Sequence, residues 1–152
     1  MRGTAIEENS VKAVVYDRYG SADEVLDLRD IAKPELANDE VLVKVHAASV
    51  NPHDWHTMTG RPYVMRVQFG LRMKERSGLG GDLAGDVEAV GRNVTRFRPG
   101  DRVFGTVNGG VPDNPMLDLG SIAQYVAVSQ DWVALMPDNL TYEEAAAIPL
   151  AA

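Results

Sequence analysis

A glycine-rich segment between residues 80 and 105 constrains the fold of this chain more than any other part of the sequence. Gly80, Gly81, Gly85 and Gly91 interrupt an otherwise strand-like stretch, and the turn sequence Arg-Pro-Gly-Asp follows at residues 98–101. Glycines spaced in this way predict positive φ angles, bulges or close strand packing. No helix start follows them, as a phosphate-binding loop requires, and the chain has no G-x-G-x-x-G motif. We therefore expect two strands, residues 82–90 and 102–107, rather than a nucleotide-binding loop.

Alternating apolar segments elsewhere in the chain predict further short strands. They span residues 11–16, 25–31, 40–48, 121–128 and 132–136. Asn51 as N-cap, Pro52 at the first helical position and Gly60 at the end predict one short helix. Thr141 and Glu144 form a capping-box pattern ahead of a run of alanines, which predicts another. The expected fold is mainly β: a partly open antiparallel β-barrel with a few short helices.

Composition excludes several classes of function. The 152 residues carry a formal net charge of −7, which argues against a nucleic-acid partner and against binding to an anionic membrane surface. The chain has no cysteine, so disulfides, thiolate metal sites and a cysteine nucleophile are excluded within it. No apolar run approaches the roughly 20 residues of a membrane span. Residues 1–10 are polar and predict a flexible leader, so we expect a cytoplasmic protein.

Seven short motifs occur in an order that matches a known family. They are Val11-Lys12-Ala13, Glu40-Val41-Leu42-Val43-Lys44-Val45, Ser49-Val50-Asn51-Pro52-His53-Asp54, Gly81-Asp82-Leu83-Ala84-Gly85-Asp86-Val87, Arg98-Pro99-Gly100-Asp101-Arg102-Val103, Gly120-Ser121-Ile122-Ala123-Gln124-Tyr125 and Glu143-Glu144-Ala145-Ala146-Ala147-Ile148-Pro149. Together they resemble the N-terminal GroES-like catalytic domain of the medium-chain dehydrogenase/reductase superfamily. The branch they resemble is the zinc-independent quinone oxidoreductases.

This resemblance implies a domain organisation and an activity. Residues 11–140 would form the GroES-like domain, and residues 141–152 would begin a helix that leads to a Rossmann domain beyond this chain. That second domain would bind most of the NADPH or NADH. The whole protein would reduce quinones or α,β-unsaturated carbonyls by hydride transfer, and this chain alone would be inactive. The expected partner is a small quinone, enone or other carbonyl substrate; the oligomeric state stays open, with a homodimer among the alternatives.

The resemblance also bears on metal binding. In zinc-dependent relatives a cysteine stands at the place of Asn51 and a histidine at the place of Gly81, and Asp82 matches an acidic residue. An amide and a glycine do not supply the donors that zinc prefers, so we expect no metal. A rival arrangement stays open, because His53, Asp54 and His56 lie in one predicted helical segment and His with carboxylate can bind zinc.

Three residues are the expected catalytic groups. The resemblance places Asn51 beside both cofactor and substrate, where its amide would donate a hydrogen bond to the oxygen that gains negative charge; a plain N-cap is its alternative role. Asp54 is expected to stabilise the first helical turn and to hold the Asn51 loop, or else to transfer a proton. Tyr63 resembles an aromatic residue that lines the substrate cleft, where it would stack on a flat acceptor; otherwise it would close the mouth of the barrel.

Other residues and functions stay as alternatives. His53 and His56 would relay protons, or would simply be exposed surface residues. Residues 65–73 would form a cap over the cleft or an interface loop. Two further functions compete with quinone or enone reduction. One is a non-catalytic binding or assembly module, because fold does not determine function. The other is an alcohol dehydrogenase with a non-standard metal site.

Overall fold

Eight strands and three short helices make up the described part of the chain. A computed structural model describes residues 10–64, 66, 77–107 and 120–151. In chain order the elements are β1 (Ser10–Tyr16), α1 (Ala22–Val25), β2 (Asp27–Ala32), β3 (Glu40–Ser49), α2 (Pro52–Thr59), β4 (Ser77–Gly78), β5 (Asp82–Val90), β6 (Arg102–Thr106), β7 (Tyr125–Ser129), a 3₁₀ turn (Gln130–Trp132), β8 (Val133–Leu135) and α3 (Tyr142–Ala146).

The strands form two open antiparallel sheets. One has the order β2-β1-β4 and the other the order β7-β3-β5-β6-β8. Residues 121–124 connect them, because Gln124 donates its N–H to Lys12 of β1 and accepts the N–H of Val45 of β3 at its carbonyl. The mainly β, partly open barrel that the sequence predicts is confirmed.

The largest core cluster lies on the five-stranded sheet. Alternating residues of its strands point to one side, as the period of two in a strand requires. The cluster consists of Val41, Val43, Leu83, Val87, Phe97, Val103, Val107, Val126, Val128 and Val133. A second cluster packs Ala84 and Met136 against Ala145 and Ala146 of α3. Helix α3 therefore covers the other face of β5, and strand β5 is buried on both sides.

Gly85, in the glycine-rich segment at residues 80–105, has a steric reason to be glycine. Gly85 lies opposite Val45, where the pairing of β3 with β5 shifts by one residue before Ala47. A Cβ atom at Gly85 would lie 2.1 Å from the carbonyl oxygen of Lys44. The backbones of the two strands approach too closely there for any side chain.

Four predicted strands and one unpredicted helix mark where the structure differs from the sequence predictions. The strand predicted at 25–31 begins only at Asp27, because Val25 is the last residue of α1. Helix α1 is not among the sequence predictions; its four residues begin after Ser21, which makes a capping box with Glu24. The strand predicted at 121–128 begins only at Tyr125, because the preceding residues cross between the sheets. The strand predicted at 132–136 begins at Val133, since the 3₁₀ turn includes Trp132. The strand predicted at 102–107 ends at Thr106.

Other predictions are confirmed or lie outside the described residues. Helices α2 and α3 begin after Asn51 and Thr141 as predicted, and Gly60 ends α2 in a left-handed conformation. Residues 1–9 of the predicted leader and most of the predicted cap at 65–73 are not described. Among the described helices, none combines the length and the apolar character that crossing a membrane takes.

Candidate active site

The N-terminus of α2 is anchored by one buried carboxylate. Asn51 is the N-cap, with φ −119° and ψ 163°, and its backbone N–H donates to Oδ2 of Asp54 over 2.6 Å. The other oxygen of Asp54 accepts the backbone N–H of Gly80 over 2.9 Å. Asp54 is only 5% exposed. Its position agrees with the structural role expected for it, which is to hold the Asn51 loop; proton transfer by Asp54 stays a prediction.

Asp82 lies at the centre of a second group of polar contacts. It is the first residue of β5, pairs with Ser49 at the end of β3 and is 1% exposed. Its Oδ2 accepts three hydrogen bonds: from Ser49 Oγ over 3.1 Å, from Asn51 Nδ2 over 3.1 Å and from the backbone N–H of Leu150 over 3.2 Å. Its Oδ1 is buried and has no hydrogen-bond partner among the described residues.

The side-chain NH₂ group of Asn51 points into this polar group. Nδ2 donates to Ser49 Oγ over 3.2 Å as well as to Asp82. A donor role toward a substrate oxygen would therefore compete with these two hydrogen bonds. The carboxamide oxygen faces the first turn of α2 in a capping-box arrangement with Asp54, but it makes no side-chain cap hydrogen bond, and the N–H of Asp54 donates to the backbone carbonyl of Asn51. The carboxamide oxygen of Asn51 therefore remains available as an acceptor.

The residues at the zinc-ligand places offer little to a metal. Gly81 has no side chain to offer a metal, and its carbonyl oxygen accepts the N–H of Val107. The amide nitrogen of Asn51 donates a hydrogen bond to Asp82 and therefore cannot bind a metal. Among the described residues, no group of three or more histidine and acidic side chains is placed to hold a metal ion. Around Asn51 the side chains present are an amide, the hydroxyl of Ser49 and the carboxylate of Asp82, which do not match the Cys and His donors that zinc prefers.

The two histidines of α2 have separate surroundings. Nδ1 of His56 lies 2.6 Å from the carbonyl oxygen of Arg61, so this nitrogen carries the hydrogen of the contact. His53 is exposed. The rival metal site made of His53, Asp54 and His56 would compete with the hydrogen bonds that already use both oxygens of Asp54. A proton relay through either histidine stays a prediction.

Exposed apolar side chains flank α2. Val50 precedes Asn51 and is exposed, Trp55 on α2 is 49% exposed, and Tyr63 after the helix is 66% exposed. One face of the Tyr63 ring lies against the guanidinium of Arg66, which donates to the last carbonyls of α2. Tyr63 is thus accessible, and its place in a substrate cleft stays a prediction. We refer to Val50, Trp55 and Tyr63 below as the apolar rim.

The buried phenol of Tyr16 packs against the inner side of α2. Tyr16 of β1 is 2% exposed and packs with Met58 of α2. Burial raises the pKa of Tyr16; a hydrogen bond with Thr57 opposes this shift, and the charge of Asp54 adds to it. The phenol is therefore neutral over the physiological pH range and has a packing role.

The sequence predictions missed a polar cluster farther along β5. Asp86 follows Asp82 on the same face of the strand and contacts Nε2 of His46 over 2.9 Å. The hydroxyl of Tyr142 donates to Asp86 over 2.6 Å, and its ring stacks on His46 at 4.5 Å. Since Tyr142 contacts Asp86 and Leu150 contacts Asp82, residues 142–150 lie along β5. The alternation of β5 places both aspartates on one face, but nothing local identifies their partners.

Comparison with known proteins finds one family and many relatives. Residues 37–138 match the family described as "Alcohol dehydrogenase GroES-like domain". The chain is 37% identical over 144 residues to 2-methylene-furan-3-one reductase of Solanum lycopersicum, covering 94% of this chain and 35% of that protein. It is 35% identical over 142 residues to the chloroplastic NADPH-dependent alkenal/one oxidoreductase of Arabidopsis thaliana, with 93% and 35% covered.

A solved structure of an oxidoreductase is also similar to this chain. The quinone oxidoreductase from Coxiella burnetii superposes with a TM-score of 0.78 and 34% identity, over 93% of this chain and 42% of that one. The chain thus spans about a third of the length of the two reductases and under half of this structure.

Proposed function

The chain belongs to the family of alcohol dehydrogenase GroES-like domains, and from that premise we propose that it is the substrate-side domain of an NAD(P)H-dependent oxidoreductase. The proposed reaction is the reduction of quinones or α,β-unsaturated carbonyls. In this proposal residues 11–140 form the substrate domain, residues 141–152 lead toward a cofactor domain, and the chain alone is inactive. A homodimer and a cytoplasmic location remain predictions that accompany it.

The names of the relatives support the substrate class. Two of them are a furanone reductase and an alkenal/one oxidoreductase, and a similar solved structure is a quinone oxidoreductase. These acceptors share a conjugated carbonyl group, which is flat and apolar with one polar oxygen. The NADPH named for one relative supports the cofactor class.

One observation in the structure carries the proposal. The polar group of Ser49, Asn51 and Asp82, of which Asp82 is 1% exposed, adjoins exposed apolar residues along the chain, since Val50 separates Ser49 from Asn51 and Trp55 follows on α2. Binding sites for small molecules combine an apolar surface with a few polar groups that set orientation. The apolar rim would stack on the acceptor, and Asn51 would orient a polar group of the cofactor.

The cofactor would supply the hydride, and this chain would supply position. Holding two reactants in the productive geometry lowers the barrier without any chemical group of the protein taking part. The capped, anchored N-terminus of α2 suits that role, because Asp54 ties Asn51 to the Gly80 turn. Asn51 would contact the cofactor, and the apolar rim would orient the hydride acceptor. We further propose that the reaction proceeds without zinc, since an amide and a glycine stand at the ligand places.

The direct test is oxidation of NADPH by the full-length protein with a panel of quinones and enones, followed at 340 nm. Asn51→Ala is expected to lower kcat/KM by about ten-fold, the loss of one well-placed hydrogen bond. The matched control is Asn139→Ala, at an exposed position, which should leave kcat/KM unchanged. Urea unfolding of both variants separates loss of the N-cap from loss of binding.

Two results would contradict the proposal. Failure of the full-length protein to reduce every quinone and enone in the panel would remove the activity. Micromolar binding of NADPH to the 152-residue chain alone would contradict the division into a substrate domain and a separate cofactor domain.

A further inference from the structure

We propose that Asp82 is a positioning residue that holds the Asn51 carboxamide in one orientation, so that the site offers a hydrogen-bond acceptor to the reduced nicotinamide nucleotide. The inference rests on the proposed function for its ligand, but its geometry stands on this chain alone. The sequence predicts that Asn51 donates a hydrogen bond to its ligand, whereas this inference has Asn51 accept one.

The orientation follows from which atoms can pair. Oδ2 of Asp82 accepts hydrogen bonds, and Ser49 already donates its hydroxyl hydrogen to that same oxygen. Asn51 faces both atoms, at 3.1 Å from Asp82 Oδ2 and 3.2 Å from Ser49 Oγ. Two acceptors therefore face the amide, and only its NH₂ end can satisfy them.

The reversed orientation is disfavoured by the same contacts. A flip of the amide would point the carboxamide oxygen of Asn51 at Oδ2 of Asp82 and at the hydroxyl oxygen of Ser49. Two acceptor oxygens would then face each other beside Asp82, which is 1% exposed, and the hydrogen bond from Asn51 to Asp82 would be lost. We expect the flipped orientation in well under a tenth of the molecules.

The acceptor polarity selects a class of ligand group. The NH₂ end of Asn51 faces Asp82 and Ser49, so the end that points away from them is the carboxamide oxygen, which binds a donor. A reduced nicotinamide nucleotide carries such donors in its carboxamide NH₂ and in its ribose hydroxyls. A substrate oxygen that gains negative charge is itself an acceptor and does not match.

A competing explanation gives Asp82 a direct role. Its Oδ1 is buried and lacks a partner among the described residues, so it could itself accept a hydrogen bond from a ligand. The two explanations differ in whether charge at residue 82 is needed. Asparagine at position 82 keeps one carbonyl oxygen for Ser49, Asn51 and Leu150, and its NH₂ would replace the unpartnered Oδ1.

The test compares Asp82→Asn with Asp82→Leu in the full-length protein, by fluorescence titration with NADPH and by steady-state kinetics. Asp82→Leu is expected to raise the Kd for NADPH about ten-fold with kcat changed less than two-fold, and Asp82→Asn to stay within about three-fold of wild type. In the Asn51→Ala background Asp82→Leu should have no further effect. Asp86→Asn, on the same face of β5, is the control and should leave the Kd unchanged.

Two outcomes overturn the proposal. If Asp82→Asn weakens NADPH binding as much as Asp82→Leu, the charge of Asp82 matters and not its acceptor geometry. If Asp82→Leu keeps its full effect in the Asn51→Ala background, Asp82 acts independently of Asn51.

A second measurement does not depend on activity. In the ¹⁵N-labelled 152-residue chain, both side-chain NH₂ protons of Asn51 should exchange at least ten-fold more slowly than those of the exposed Asn139. Ser49→Ala, which removes one of the two acceptors, should accelerate one of the two protons; it also serves if Asp82→Leu does not fold. Exchange of both Asn51 protons as fast as Asn139 refutes the orientation, whereas absent quinone and enone turnover refutes only the proposed function.

Discussion

The backbone N–H of Gly80 donates a buried hydrogen bond of 2.9 Å to Oδ1 of Asp54. This contact joins the N-terminus of α2 to the turn that precedes β5, and Gly80 adopts φ 96° there. The other oxygen of Asp54 holds Asn51, so one carboxylate controls the approach of the two segments that form the candidate site. The stability of the site is therefore expected to depend on Asp54 more than on any exposed residue of α2.

Asp54→Ala should lower the free energy of unfolding by about 3 kcal/mol, because it leaves two backbone N–H groups without their carboxylate acceptor. Urea unfolding measures the loss. The matched control, Asp138→Ala at an exposed position, should change stability by less than about 0.5 kcal/mol. Equal effects of the two substitutions would show that Asp54 does not anchor α2.

Gly85→Ala should destabilise the protein by about 3 kcal/mol, because the new Cβ would lie 2.1 Å from the carbonyl oxygen of Lys44 and the strands must separate. Gly100→Ala provides the comparison: its φ is 93° but no atom lies within 4 Å of a Cβ there. Only the backbone conformation is then unfavourable, at about 1–2 kcal/mol. Thermal unfolding distinguishes the two, and a larger loss at Gly100 than at Gly85 would contradict the steric argument.

Tyr142→Phe should lower stability at pH 7 by about 1 kcal/mol through loss of the hydrogen bond to Asp86. The pKa of Tyr142 is raised, first because its hydroxyl donates to Asp86, with burial and the Asp86 charge adding to the shift and Arg102 opposing it. The folded protein thus binds this proton more tightly than the unfolded chain. Its stabilisation is complete below the unfolded pKa of about 10 and is lost as pH rises through the folded pKa.

The difference in stability between wild type and Tyr142→Phe should therefore shrink above about pH 10. Urea unfolding at pH 7, 9 and about 10.5 follows this change, provided that the fold persists at the highest pH. Tyr63→Phe, at an exposed position, is the control and should change stability by less than about 0.5 kcal/mol. A difference that grows above pH 10 would show that the Tyr142–Asp86 contact does not hold the proton.

Tyr63→Ala should raise the KM for a quinone by about three- to ten-fold, the loss of one aromatic stacking contact, with kcat/KM falling in parallel. Tyr63→Phe should retain the wild-type KM if stacking rather than the hydroxyl binds the acceptor. Both variants should keep their stability within about 1 kcal/mol, since the ring is 66% exposed and its described ring contact is with Arg66. An unchanged KM in Tyr63→Ala would remove Tyr63 from the substrate surface.

Local signals were sufficient to predict most of the secondary structure. Asn51 with Pro52, and Thr141 with Glu144, are start signals contained within four residues, and both helices begin where these signals lie. The strands β1, β3 and β5 follow from alternation and β-branched residues. The segment at 121–124 was predicted as strand because alternation does not reveal which sheet a residue pairs with.

The candidate site was only partly predictable. Asn51 and Asp54 share a helix turn, so their proximity follows from the sequence. The convergence of Ser49, Asn51 and Leu150 on Asp82 does not, because sequence separations of 33, 31 and 68 residues divide Asp82 from them. The orientation of the Asn51 amide, and hence its polarity toward a ligand, depends on those contacts.

By itself the sequence determined the mainly β class, the ends of α2, the start of α3 and the place of the glycines, because propensity, capping and turn chemistry act over a few residues. Only the tertiary structure decided what those residues face. The register that pairs Ser49 with Asp82, and the packing of residues 142–150 along β5, bring distant groups together. Those neighbours settle which hydrogen bonds the partly buried amide of Asn51 can still make, since polar groups away from water must pair with whatever the fold places beside them.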